Sequence, residues 1–493
     1  MDLLQFVRGC TFDDFLFTPQ HGCLERRDPS VVDLSTRFSE HIKILRPLVS
    51  ANMDTITRSA MAIVLAEEGG IGVIDRGFRA GDIQPQVTEV ATVKRTQHGI
   101  ITDPHTISPD RRIGEAMRRM EQTRVGTLAV VDEQNRLVGL LTKRDVRFVS
   151  AEGLVRDRMT PRERLVVHTG LISLAEAERV MTAHKIKKLP LVDRDDTLLG
   201  IITARDLLKN EEHPFATRDE QGRLRVAAAV GATGDYLERA AELLRVGADV
   251  LVVDIAHGDS IVMERALEQL RRLHPEAELV AGNVATAEGA RFLLERGVNG
   301  IKVGIGPGGG CATRLTTNFG VSQVEALVRC HMAVGDRVPL IADGGVKRHG
   351  SIAQALMFGG DSVMLGSAFA GTEETPGDIV LKSVLEPESQ KVVKVPFKVF
   401  RGMASISAVR DRLDIEEAEP GEVEAIGAEG VEVSVPARGS ARTIVHDMLK
   451  HLCSAISYGG ARGLQELRTK FRSDPEHYLV KLTAPSRMES FQR

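Results

Sequence analysis

The sequence contains no tryptophan and only three tyrosines, and aromatic residues make up 4% of its 493 positions. A stacking platform for single-stranded nucleic acid needs such rings, so that class of partner is not expected. No apolar run approaches the ~20 residues that cross a bilayer. The opening MDLLQFVRGCTFDDF has no basic stretch followed by an apolar one. Neither a membrane span nor a signal peptide is therefore expected. Net charge is only -4, too small for bulk attraction to nucleic acid or a membrane surface. The five cysteines, Cys10, Cys23, Cys311, Cys330 and Cys453, are odd in number and scattered. That argues against a disulfide scaffold or a zinc cluster and for a reducing compartment, with cytoplasm as the default. No G-x-G-x-x-G strand–helix unit announces a Rossmann cofactor site.

What is present is ordinary globular material, 42% hydrophobic and 27% charged. The length fits a barrel of about 250 residues plus a smaller module. An internal repeat marks that module. VDEQNRLVGLLTKRDV (131–146) and VDRDDTLLGIITARDL (192–207) align at an offset of 61 residues, each preceded by a helical pattern. Two helix–strand–turn–strand–helix units are expected to pair over 93–211. Outside them, eight short apolar segments alternate with amphipathic ones: 47–52, 71–75, 226–231, 249–254, 278–283, 300–305, 339–345 and 362–367. This pattern predicts an α/β fold, a parallel (β/α)8 barrel formed by 1–92 and 212–493, with the repeat pair inserted after the second strand. Several strands end in polar residues or glycine: Asn52, Asp75, Asp254, Asn283, Gly304, Asp343 and Gly366. In a barrel those ends share the face that carries active sites.

Two late strand ends, IADGGV and VMLGSAFAG, stand where barrels build phosphate sites, with Gly345, Gly366 and Ser367 as amide or hydroxyl donors. Asp343 is placed to take the hydroxyls of a ribose. In the loop 300–320, Cys311 follows four glycines and a proline, GPGGG, which is not core sequence. Backbone amides and Arg314 could support a thiolate there, so a covalent nucleophile is the sharper reading of Cys311.

The repeat pair resembles a tandem cystathionine-β-synthase (CBS) module. That resemblance implies adenine or guanine nucleotides at the T-x-R-D strand ends, through Thr142, Asp145, Thr203 and Asp206; the alternative is that both aspartates merely cap the following helices. The segments TFDDFLFTPQ, DIAHG, AGNVATAEGA, GIGPGGGCATR, IADGG, VMLGSAFAGT and FRGMAS together resemble the IMP dehydrogenase/GMP reductase family over nearly the whole chain. The resemblance implies that Cys311 attacks C2 of a purine mononucleotide, GMP or IMP. NAD or NADP would then exchange hydride at that carbon. It implies Met53, Gly402 and Met403 at the base and Asp254, Ala256, His257, Asn283 and Gly304 on the cofactor side. It also implies potassium on the carbonyls of Gly306, Gly308 and Cys311, and a homotetramer or octamer.

The flap, 400–440, bears on the direction of the chemistry. The dehydrogenase pattern has an Arg-Tyr pair; here Arg412 is followed by Leu413. The reductase pattern has a threonine two residues after the cysteine and a glutamate; here Thr313 and Glu429 match, with Glu432 close by. GMP reductase is therefore expected, with IMP dehydrogenase as the alternative and a catalytically silent nucleotide sensor as the third reading. Gly309 and Ala312 depart from the family's usual Ser and Thr, and IDRGF (74–78) from its His-Lys pair.

Overall fold

The computed structural model describes residues 2–96, 101, 104–123, 125–385, 391–413 and 429–491, apart from the side chains of Asp206, Asn210 and Leu413. The chain divides into two compact units: 1–94 with 215–217 and 224–493, and 95–214 with 218–223. The larger unit is a closed barrel of eight strands: β1 (Leu48–Ser50), β2 (Ile71–Ile74), β3 (Ala227–Val230), β4 (Val250–Asp254), β5 (Leu279–Val284), β6 (Gly300–Val303), β7 (Leu340–Asp343) and β8 (Ser362–Leu365). All neighbours are parallel, and β8 closes onto β1 with Val363 opposite Leu48.

Period-two alternation sorts each strand's side chains into two cores. Val49, Val73, Ala227, Ala229, Val250, Val252, Val280, Ile341 and Met364 point inward and fill the barrel. Their neighbours Leu48, Ile74, Ala228, Leu251, Val253, Ala281, Leu340 and Val363 pack outward against the helices. Phe38, Ile42 and Ile44, from a short hairpin before β1, join the inner core. One inward position carries a basic side chain. Ile301 and Val303 of β6 belong to the outer core, so the residue between them, Lys302, projects into the barrel, where it is buried.

After β8 comes an antiparallel sheet of β9 (Val380–Leu385), β10 (Val392–Arg401) and β11 (Glu432–Pro436), with the helix Ile406–Leu413 between its last two strands. Within the flap region, 414–428 lie outside the described residues. No helix among the described residues is long and apolar enough to cross a membrane.

The smaller unit repeats itself in register as well as in sequence. Thr127–Val131 pairs antiparallel with Leu137–Thr142, and Lys188–Val192 with Leu198–Thr203, with irregularities at the matching places Val130/Val131 and Leu191/Val192. The turns carry Asn135 and Asp196 at φ 60° and 61°, a left-handed conformation that Asn and Asp tolerate better than other side chains. The two repeats join reciprocally: Leu137 N–H donates to the Asp196 carbonyl at 2.9 Å and Leu198 N–H to the Asn135 carbonyl at 3.0 Å. Ala129, Val131, Leu137, Leu140, Val192, Leu198 and Ile201 form their shared core.

Candidate active site

A cavity of about 330 Å³ opens at the C-terminal ends of the barrel strands. One wall is the loop after β6, which presents Cys311. The chain leading into β11 crosses this loop: Cys311 and Gly430 form an antiparallel bridge, Ala312 N–H donates to the Glu429 carbonyl at 2.6 Å, and Val431 N–H to the Gly310 carbonyl at 3.1 Å. On its other side Val431 accepts from Gly402 N–H at 3.0 Å. The three segments approach so closely that a Cβ on Gly402 would lie 2.2 Å from the Gly310 oxygen, and one on Gly430 2.5 Å from the Ser405 nitrogen. Glycine at 402 and 430 therefore permits the layering that carries Glu429 to the cysteine. The Cys311 thiol donates to Thr313 Oγ1 at 3.2 Å, and the Thr313 hydroxyl donates to Glu429 Oε2 at 2.7 Å. Nucleophile, hydroxyl and carboxylate form one continuous hydrogen-bonded chain. Glu432 is exposed and turns away to Ser407.

The opposite wall is organised by Lys302. Its Nζ lies 2.8 Å from Asp254 Oδ1 and 2.6 Å from Asp343 Oδ2, and Asn283 Nδ2 donates to the same Asp343 oxygen at 2.9 Å. Burial works against the Lys302 ammonium, but the two carboxylates outweigh it and hold its pKa above the ordinary lysine range. Burial likewise opposes the Asp254 carboxylate, and Lys302 with Arg76 overcomes it, so this group sits below the usual carboxylate range. One lysine thus bridges two carboxylates, Asp254 at the end of β4 and Asp343 at the end of β7. Asn283 Oδ1 is buried with no partner, an acceptor facing a cavity that can supply a donor.

The cavity is lined by Cys311, Thr313, Glu429 and Arg412; by Met53, Asp343, Gly345, Gly366, Ser367, Gly402 and Met403; and by Asp254, Ala256, Asn283, Gly304, Gly306 and Gly308. His257 is exposed and is not among the lining residues. Asp75, expected at the mouth from its strand-end position, is instead fully buried beside it. It accepts from Gly77 N–H at 2.7 Å and pairs with Arg58 at 3.4 Å. Burial, stronger than the pull of Arg58, pushes its pKa up to about 6. Lys302 and Arg76 line the cavity without having been singled out. A lysine inside the otherwise apolar GIKVGI was the available signal for Lys302.

Two further sets were expected. The Gly308 carbonyl accepts from Cys311 N–H at 3.1 Å, and the Arg314 guanidinium lies against the neighbouring carbonyls of Ile305 and Val321. The Arg314 side chain thus brings positive charge to this loop. In the smaller unit, Thr142 Oγ1 and Thr142 N–H both donate to Asp145 Oδ2, at 2.6 and 2.7 Å. Thr203 ends the matching strand; the Asp206 side chain lies outside the described residues.

The family model for the IMP dehydrogenase / GMP reductase domain matches residues 9–492. The chain belongs to this family. Among its curated relatives in the family, an inosine-5'-monophosphate dehydrogenase of Aquifex aeolicus (strain VF5) is 41% identical over 466 residues, 94% of this chain and 92% of that protein. One of Nitrosopumilus maritimus (strain SCM1) is 40% identical, covering 94% and 95%. Among solved structures, GMP reductase from Trypanosoma brucei in complex with guanosine 5'-monophosphate superposes with a TM-score of 0.85 at 34% identity, covering 97% of this chain and 96% of that one. The same protein in complex with guanosine 5'-triphosphate gives 0.75 at 32% identity. As a member of the IMP dehydrogenase/GMP reductase family, the chain is an oxidoreductase of purine metabolism built on a TIM-type barrel.

Proposed function

We propose that the protein is a GMP reductase, converting GMP and NADPH (or NADH) to IMP, ammonia and the oxidised dinucleotide. The observation that carries this reading is the chain from the Cys311 thiol through the Thr313 hydroxyl to the Glu429 carboxylate. Glu429 takes the thiol proton by way of Thr313, and the Cys311 sulfur adds to C2 of the purine. The transferred proton goes back to the 2-amino group, which leaves as ammonia while C2 keeps its bond to sulfur. A reduced nicotinamide, when bound, would supply the hydride that C2 requires; the C–S bond then breaks, releasing IMP, and the Cys311 thiolate takes a proton from solvent. Asp343, positioned by Lys302 and Asn283, suits the ribose hydroxyls, and Gly345, Gly366 and Ser367 the phosphate. The unpartnered Asn283 Oδ1 suits the nicotinamide carboxamide, with Asp254 beside it.

IMP dehydrogenase is the second reading. Relatives bearing that name at 39–41% identity favour it, as does Arg412 in the cavity. Burial, then repulsion from Arg76, lowers the Arg412 pKa, the direction a water-activating base requires. Against it, Leu413 stands where the resemblance expects tyrosine. The test is steady-state turnover in both directions, GMP with NADPH or NADH and IMP with NAD or NADP. GMP reduction should dominate, and Glu429→Gln should slow it by ~10²-fold or more while Arg412→Ala matters much less. Faster conversion of IMP to XMP, abolished by Arg412→Ala, would overturn the reductase assignment. Tight GMP binding with no turnover of any pair would point to a sensor.

For the smaller unit we propose regulation by purine nucleotides at its T-x-R-D ends, as a tandem CBS module of a homotetramer or octamer. Its internal repeat supports this, and so does the near-full-length match to a reductase solved with GTP. Removing 95–214 should leave turnover intact and abolish any response to ATP or GTP, a coupling of ~1–3 kcal/mol.

A further inference from the structure

Away from the cavity, two helices bring three metal-ligating side chains together. His349 is the first residue of the helix His349–Met357, which follows β7. Asp447 and His451 stand four apart, on one face of the helix Ala441–Tyr458. His349 Nδ1 is 3.2 Å from His451 Nδ1 and 3.4 Å from Asp447 Oδ2, and His451 Nδ1 is 3.7 Å from Asp447 Oδ1. All three side chains keep partial access to solvent, at 36%, 51% and 54% exposure for His349, Asp447 and His451.

These separations are those of ligands on one ion. Donor atoms each about 2.0–2.2 Å from a metal stand roughly 3–3.5 Å from one another. Without a metal the arrangement is an awkward one for the imidazoles: two Nδ1 atoms face each other, and only one can donate across that contact. His451 Nδ1 also lies 2.8 Å from the Asp447 carbonyl, a contact that metal ligation exchanges for a stronger one.

We propose that His349, Asp447 and His451 form a binding site for a borderline divalent transition metal such as zinc, cobalt or nickel. Two imidazoles and one carboxylate match that class and disfavour calcium or magnesium, which take oxygen ligands. Three protein ligands leave the remaining coordination positions to water. The neighbouring cations are Lys347 and Lys450, with Arg348 paired to Asp13 and His446 to Glu68. They moderate the affinity without supplying ligands. The site has a structural consequence. It ties the helix Ala441–Tyr458 to the helix that begins three residues after Val346, and Gly344, Gly345 and Val346 line the active-site cavity. A bound ion would therefore stiffen the loop on which the proposed phosphate contacts depend.

The probe is cobalt(II), titrated into the purified full-length protein and followed by its visible ligand-field absorption. A single saturable equivalent per chain is expected, with a rise in melting temperature, because the ion bridges two helices. Coordination by Cys311 would announce itself by a thiolate-to-metal charge-transfer band, and the titration of Cys311→Ser should leave the ligand-field signal in place. The double variant His349→Ala/His451→Ala should weaken binding by more than ~100-fold, since even supporting residues of metal sites carry about 10–100-fold. It should also lose the cobalt-dependent thermal shift. Asp447→Asn, a near-isosteric change at a half-exposed position, should weaken binding as well and guards against misfolding of the double variant. Absence of saturable binding, or binding unchanged in both variants, overturns the proposal. The outcome is independent of which purine reaction the barrel performs.

Discussion

The barrel mouth and the T-x-R-D turns of the smaller unit present the same local sequence, an apolar strand ending in a polar residue, and use it in opposite ways. At the turn, Thr142 and Asp145 bond to each other across three residues; the polar groups are satisfied locally and the motif completes itself. At the barrel mouth, Asp254 and Asp343 come from two strands and meet at Lys302 from a third, and Asn283 from a fourth donates to Asp343. Their partners are distant in sequence, and Lys302 has both of its carboxylate partners only because the barrel closes. A strand end that closes on itself is stable and inert until something opens it. Strand ends that need one another make a cavity whose charges are fixed in advance, which is what a site of bond-making chemistry requires.

This contrast can be broken most severely at the cysteine. Cys311→Ser should reduce turnover by at least ~10⁴-fold, because the covalent step is lost. GMP affinity, measured by calorimetry, should stay within about tenfold. Substantial residual kcat would remove Cys311 from the mechanism.

Next is the shared cation. Lys302→Met should cost about 3–5 kcal/mol of stability in denaturant unfolding, the penalty for leaving buried charges without their partner. Binding of nucleotide and of dinucleotide should fall together in the same variant. If only one of the two falls, Asp254 and Asp343 are not coupled through the lysine.

Asp75 sharpens the comparison from beside the cavity. Its folded pKa of about 6 lies above the reference value of 3.8, so the folded state holds the proton more tightly than the unfolded one. Its contribution to stability is complete below about pH 4 and is lost as pH rises through about 6, a swing of about 3 kcal/mol. Asp75→Asn should lack this swing, so the stability difference between variant and wild type should shift in the variant's favour across that window. A difference that does not change with pH would show that Asp75 is already ionised in the fold.

The smallest effect belongs to the self-satisfied turn. Asp145→Ala should cost ~1 kcal/mol, the usual value of a lost hydrogen bond, and should leave basal turnover unchanged. If it also erases a nucleotide response, the turn is a ligand site as well as a self-closed one.

The sequence by itself determined the barrel's eight strands, the tandem repeat and the strand-end loop that carries Cys311. Each of these is written in local periodicity or in a run of glycines, and local signals survive without knowledge of the fold. It also marked out Thr313 and Glu429. It could not tell that they touch, because 116 residues separate them and the contact depends on three backbone segments layering at Gly402 and Gly430. Tertiary structure brought Glu429 to the cysteine through Thr313 and turned Glu432 away to Ser407. It also decided that Asp75 is buried beside the mouth, that His257 stays outside the cavity, and that Lys302 is the hub of the acids. The physical reason is the same in each case. Closing the barrel fixes which face of a strand or loop looks inward, and the charge of a buried group depends on partners that only closure brings within reach.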